Sequence, residues 1–247
     1  LAQFGLDSHY VTRLPTHEIG EAAVRALRAE GVKTDFILRG GDRIGVYFVE
    51  AGASQRASNV VYDRARSAIS ELEPGTTDWA AVFEGAAWFH VTGITPALGE
   101  TAASCTREAL EAARRAGARV SVDLNFRRKL WSESQAQAVM RPLMKHVDVV
   151  IANEEDIQSV LGLEVPNTDV TSGHLDFDGY RRVAQQVSRE FGPSLVAITL
   201  RESISANHND WGAMLYDATS RQAHFAPLDA SGNYQPYEIR DIVDRVG

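Results

Sequence analysis

From about Asp78 onward, short runs rich in Val, Ile and aromatic residues alternate with longer amphipathic runs, and this alternation constrains the fold more than any other feature. Ala87 to Val91, Arg119 to Asp123, Val147 to Ile151 and Leu195 to Leu200 each have the length and β-branched content of a strand. Between them Ala97 to Ala116, Glu133 to Lys145 and Asp178 to Phe191 are long enough for crossover helices, and Gly117 and Gly192 stand where C-terminal caps belong. Strands joined through helices pair in parallel, so an α/β class with a mostly parallel sheet covered by helices is expected. Upstream, His17 to Glu30 reads as a helix closed by Gly31, and Thr34 to Leu38 as a strand.

Residues 41–70 break this pattern. Gly45 to Glu50 and Ser58 to Tyr62 read as two strands around a Gly/Ser/Gln loop. A small sheet inserted into a doubly wound domain serves as a lid that excludes water from a reacting phosphate; an ordinary edge hairpin has the same composition. The expected organisation is an α/β core over 1–40, a β lid over 41–70, and the core resumed over 71–247. Val165 to Asp178 is polar and reads as a loop.

A chain of 247 residues, 44% hydrophobic and 23% charged, buries a core without staples. The single cysteine, Cys105, excludes an internal disulfide and a cysteine-based zinc site, and fits the reducing cytoplasm. Leu1 to Asp7 has no signal-peptide character, and no apolar stretch approaches the roughly 20 residues that span a bilayer, so no membrane association is expected. A net charge of −8 without a Lys/Arg stripe argues against nucleic acid as a partner. A small anion would then depend on individually placed arginines. No phosphate-loop, dinucleotide or nucleophile-elbow motif occurs, and the seven histidines show no metal-ligand spacing.

Candidate site residues cluster at strand ends. Asp123, Asn125 and Arg127 follow the 119–123 strand directly, where ligands gather in open α/β sheets. Arg127 to Lys129 as a solvated turn, with Trp131 as a packing anchor, is the other reading. Tyr47, Tyr62 and Arg64 offer aromatic faces, hydroxyls and a planar fork matched to a carboxylate; cross-strand packing alone would explain the tyrosines but not the guanidinium. Asn153 and Asp156 follow the next strand and equally suit a helix N-cap with acidic first-turn residues. Ile94 follows a glycine turn after the 87–91 strand, and Arg201 and Ser203 lie past the 195–200 strand.

Taken in order, these segments resemble the PfkB (ribokinase-like) family of carbohydrate kinases. They are similar in particular to its 2-keto-3-deoxygluconate kinases, in the Tyr47 and Tyr62-Asp63-Arg64 lid, in Asp123-Leu124-Asn125-Phe126-Arg127 with Leu130-Trp131, and in Thr199 to Ala206. The resemblance implies a ribokinase-like three-layer sandwich with a small β lid. It also implies ATP-dependent, Mg²⁺-assisted phosphorylation of a sugar acid, 2-keto-3-deoxy-D-gluconate to its 6-phosphate. By the same resemblance Tyr47, Tyr62, Arg64, Ile94, Asn125 and Arg127 contact the sugar acid, Asn153, Arg201, Ser203 and Gly247 the nucleotide, and Asp156 and Asp244 the metal. Asp156 departs from the pattern, which has Glu there. Ile239 to Gly247 matches the run-up to the family's Asp-x-x-Gly-x-Gly-Asp signature, so the catalytic Asp is expected just beyond Gly247 and a first strand upstream of Leu1. Pairing of lid strands between subunits is a further implication. The alternatives are a 5-keto-2-deoxygluconate kinase, a fructokinase-like enzyme, and a non-catalytic sugar-binding member of the fold.

Overall fold

The computed structural model describes residues 1–52, 56, 59–164, 176–205 and 208–240, without the side chain of Ser203. Strand β1 (Thr12–Leu14), helix α1 (Glu18–Ala29) and β2 (Ile37–Arg39) form a compact βαβ unit in which β1 and β2 pair in parallel. Its core is Leu14, Val24 and Ile37. The pair β3 (Val46–Glu50) and β4 (Asn59–Asp63) is a separate antiparallel sheet, placing Tyr47 opposite Tyr62 and Phe48 opposite Val61. After the short α2 (Trp79–Val82), the chain enters the main sheet through β5 (Trp88–Thr92), α3 (Ile94–Ala97), α4 (Glu100–Ala116), β6 (Arg119–Asp123) and α5 (Glu133–Leu143). It continues through β7 (Val149–Ala152), α6 (Glu154–Asp156), α7 (Phe177–Phe191) and β8 (Leu195–Ser205), then β9 (His208–Asp217), β10 (Gln222–Ala226) and β11 (Tyr237–Arg240).

Strands β5, β6, β7 and β8 lie side by side in sequence order and all pair in parallel. Right-handed crossovers between such neighbours carry α4, α5 and α7 onto one face. The burial along β8 agrees: Val196, Ile198 and Leu200 are buried, and the intervening Ala197 and Thr199 are half-buried. Helix boundaries follow local chemistry. Ser132 and Gln135 close a capping box at the start of α5, and Asp176 accepts from Gly179 N at the start of α7. Gly117 and Gly192, at φ 78° and 85°, end α4 and α7 in the left-handed conformation.

The sequence expectations for β5, β6, β7, α1, α5 and α7 agree with the structure to within a few residues. The expected strand at 34–38 is shifted to Ile37–Arg39. The expected helix from Ala97 is split, because Leu98 and Gly99 (φ 147°) separate α3 from α4. The antiparallel strands β9, β10 and β11 were not anticipated. Residues 208–212 interleave His, Asn, Asp, Trp and Gly and carry no β-branched run, so their strand character comes from pairing with the long β8. The polar loop expected at 165–178 lies outside the described residues up to 175, and Asp176 onward belongs to the α7 cap and helix. Among the described residues, no helix is long and apolar enough to cross a membrane.

A cavity of about 660 Å³ opens between the β1–β2 unit, α1, the base of the β3–β4 pair and the carboxyl end of β5. Arg64, Thr92 and Ile94 are among its lining residues.

Candidate active site

The carboxyl ends of β5, β6 and β7 meet at one place, and backbone hydrogen bonds fix them there. Gly93 N donates to Asp123 O at 2.8 Å, and Leu124 N donates to Ile151 O at 2.9 Å. Glycine is required at 93 because a Cβ there would sit 2.1 Å from the Leu124 carbonyl oxygen. Ile94 follows directly, its N donating to Thr92 Oγ1 at 3.4 Å. Asn125 itself adopts φ 42°, a conformation that asparagine tolerates better than most residues, and its Nδ2 donates to Thr92 Oγ1 at 3.0 Å. Arg127 is half-buried, with Nη1 on the Phe126 carbonyl at 3.0 Å.

Asp123 is half-buried between these strands. Burial pushes its carboxyl above the usual value, while the nearby His90 and Arg127 charges oppose that shift. Burial also holds the His90 imidazole below its ordinary value, against the pull of Asp123. His90 Nδ1 lies 2.8 Å from Ser121 Oγ, which also accepts from Trp88 Nε1 at 2.8 Å.

The β3–β4 pair assembles the second group. The Tyr47 and Tyr62 rings are cross-strand neighbours with centroids 6.4 Å apart. The Arg64 guanidinium lies over both, at 4.2 Å from the Tyr62 ring and 6.0 Å from the Tyr47 ring. Stacking of this kind holds the fork in place while leaving its edge donors free to meet an anion. Lys129 joins this group to the strand ends: its Nζ donates to the Val60 carbonyl of β4 at 2.8 Å and stands 5.6 Å from the Tyr62 ring centre. One of the two sequence readings of 127–129 was a solvated turn, and neither gave Lys129 a partner. Its partner lies 69 residues away, and no local pattern signals such a contact.

Asn153 and Asp156 form a reciprocal capping box at the start of α6: Asp156 N donates to Asn153 Oδ1 at 2.8 Å, and Asn153 N to Asp156 Oδ2 at 3.4 Å. Asp156 is buried, and its Oδ1 accepts from Phe126 N at 2.9 Å, tying the β6 loop to α6. Burial raises its carboxyl above the ordinary range; the two backbone donors oppose this. Each Asp156 oxygen thus accepts one backbone N–H, so the carboxylate ties the β6 loop to the start of α6. Among the described residues, no three His, Cys, Asp or Glu side chains converge as a metal site. Next to this box, Tyr180 donates to Glu154 Oε1, and burial together with that bond raises the phenol.

Of the remaining candidates, Arg201 faces β9 in place of this cluster. Arg201 pairs across the sheet with Trp211 in register, its guanidinium 5.3 Å from the Trp211 ring centre. Ser203 lies in β8 next to the irregularity at Ser205, and nothing is described of its side chain. Asp244 and Gly247 lie outside the described residues.

A solved 2-dehydro-3-deoxygluconokinase from Thermotoga maritima superposes with a TM-score of 0.90 at 49% identity, over all of this chain and 70% of that one. A 2-dehydro-3-deoxygalactonokinase from Haloferax volcanii is 36% identical over 180 residues, 72% of this chain and 56% of the relative. A 2-dehydro-3-deoxygluconokinase from Thermoproteus tenax is 31% identical over 160 residues, 63% of this chain and 48% of the relative. The chain thus spans about half the length of the curated relatives it matches. The fold is that of ribokinase-like proteins. The model of the pfkB family of carbohydrate kinases matches residues 1–200, and the chain belongs to that family.

Proposed function

We propose that the protein carrying this chain transfers the γ-phosphoryl group of ATP to the terminal hydroxyl of a sugar acid, 2-keto-3-deoxy-D-gluconate, giving the 6-phosphate. The observation that carries the reading is the Tyr47–Tyr62–Arg64 stack, a preorganised guanidinium held over two aromatic faces beside the strand ends. A neutral sugar requires no such cation, and a carboxylate matches it. Arg127 supplies a second cation at the β6 end, while Ile94 lines the cavity after β5 and Asn125, after β6, bonds Thr92 Oγ1 beside it. The similarity to two 2-dehydro-3-deoxygluconokinases supports the same substrate class.

In this reading β3–β4 is a lid that closes over the sugar acid, and the strand-end residues orient the hydroxyl. Phosphoryl transfer depends on positioning and charge neutralisation, which suits a site built from fixed arginines. ATP is the donor that a carbohydrate kinase requires. Asn153, Arg201, Ser203 and Gly247 are assigned to the nucleotide. Mg²⁺ is expected with ATP, and Asp156 would act on it through water, with Asp244 as the second candidate; no step is derived through the ion. The exposed Phe48 and Val61 on the outer face of the lid suit pairing with a second copy. The free thiol Cys105 suits a cytoplasmic location.

The similarity to the Haloferax enzyme favours one second reading, the galacto epimer of the same keto acid. A coupled ADP-release assay on the full-length protein separates the possibilities. Turnover of the gluco or galacto keto acid over fructose and ribose is expected; preference for a neutral sugar overturns the reading.

A further inference from the structure

The β3–β4 pair is a two-stranded sheet, and such sheets are marginal in water unless something else holds them. Its position over the strand ends therefore depends on a few contacts. At its base, Arg43 Nη2 bonds the Asp63 carbonyl at 3.2 Å and forms an ion pair with the Asp63 carboxylate at 2.5 Å. Farther along β4, Lys129 makes a contact from the main domain. This exposed residue lies two positions after Arg127, in the turn closed by Leu130 N on Arg127 O at 2.8 Å. Its Nζ lies at hydrogen-bond distance from Val60 O and faces the ring of Tyr62, the same ring on which Arg64 stacks.

One exposed cation contributes little to global stability. It matters more where it biases a marginal element between two positions, since a small free-energy difference there changes the populated fraction several-fold. The geometry links three things through one side chain: the loop that presents Arg127, the backbone of β4, and the tyrosine that supports Arg64.

We infer that Lys129 is a positioning residue, pinning the β3–β4 lid over the sugar-acid site through the Val60 carbonyl and the Tyr62 ring. The inference rests on the reading of the pair as a substrate lid. Lys129 orients Arg64 by way of Tyr62 and takes no part in the transfer itself. Arginine has the reach and charge to replace it in both contacts; methionine keeps the stem and loses both.

The test compares the full-length protein with its Lys129→Met and Lys129→Arg variants. Amide hydrogen exchange without ligand is followed over 46–50 and 59–63, together with KM and kcat for the keto acid. In Lys129→Met the lid amides are expected to exchange about fivefold faster while β6 and β7 keep their protection. KM for the sugar acid rises by a similar factor, kcat changes less than about twofold, and KM for ATP stays constant. Lys129→Arg restores most of both effects. Unchanged lid exchange in Lys129→Met, or an arginine variant as defective as the methionine one, overturns the inference. If the wild-type protein phosphorylates no sugar acid, the functional reading fails instead, and the exchange comparison still decides whether Lys129 holds the lid.

Discussion

Asp156→Ala is the most informative single perturbation of the site's framework. The carboxylate accepts Phe126 N at 2.9 Å in a buried setting and caps Asn153 N at the start of α6. A hydrogen bond to a charged group contributes roughly 1.5–3 kcal/mol, and loss of a cap costs roughly 1 kcal/mol. The two losses overlap, because one side chain makes both contacts. Relief of the burial that raises the Asp156 carboxyl offsets part of them. The expected net cost is about 2–3 kcal/mol, or about 4–12 °C in Tm for a chain of this size. Urea and thermal unfolding monitored by circular dichroism measure it. Asp156→Asn retains an acceptor for Phe126 N but turns a donor toward Asn153 N, so about 1 kcal/mol is expected. An alanine variant within about 0.5 kcal/mol of wild type would refute the claim that this carboxylate is structural.

Gly93→Ala drives a Cβ into the Leu124 carbonyl at 2.1 Å. The β5 and β6 ends must separate, and a loss of at least about 2 kcal/mol is expected in the same unfolding assay, with weakened sugar-acid binding as Ile94 and Asn125 shift. Asp123 has a folded-state pKa raised above 3.8 by burial. Its contribution to stability is therefore full below that unfolded value and lost as pH rises through the folded pKa. The stability of wild type minus that of Asp123→Asn should fall as pH is raised from about 4, and a flat or rising difference contradicts the assignment. Arg64→Lys keeps the charge but loses the planar fork and the stack on Tyr62; a rise in KM for the keto acid of about 10- to 100-fold is expected, with KM for ATP unchanged.

The fold was legible where local chemistry and tertiary structure agree. The Val/Ile runs of β6 and β7, the Ser132–Gln135 box and the glycine caps at 117 and 192 all carry their meaning within a few residues. Strands β9 to β11 were not legible, since β9 pairs along the long β8 and β10 and β11 pair in turn with β9, contacts that no local run signals. The same division holds for the site. Arg64, Tyr62 and Arg127 stand out because strands place them at ends or on alternating faces. Lys129 does not, because its partner Val60 is distant in sequence. Asp156 is a mixed case: its cap on Asn153 N was legible from the acidic first turn, whereas its bond from Phe126 N, 30 residues away, has no local signal.

The proposed recognition of a carboxylate by Arg64 and Arg127 is tested by isothermal titration of the full-length protein with 2-keto-3-deoxy-D-gluconate and with fructose. Loss of a charge-assisted contact of about 1.5–3 kcal/mol predicts fructose binding at least about tenfold weaker, with the gap closing in Arg64→Ala. Equal affinity for the two sugars, or a gap that Arg64→Ala leaves intact, would contradict it.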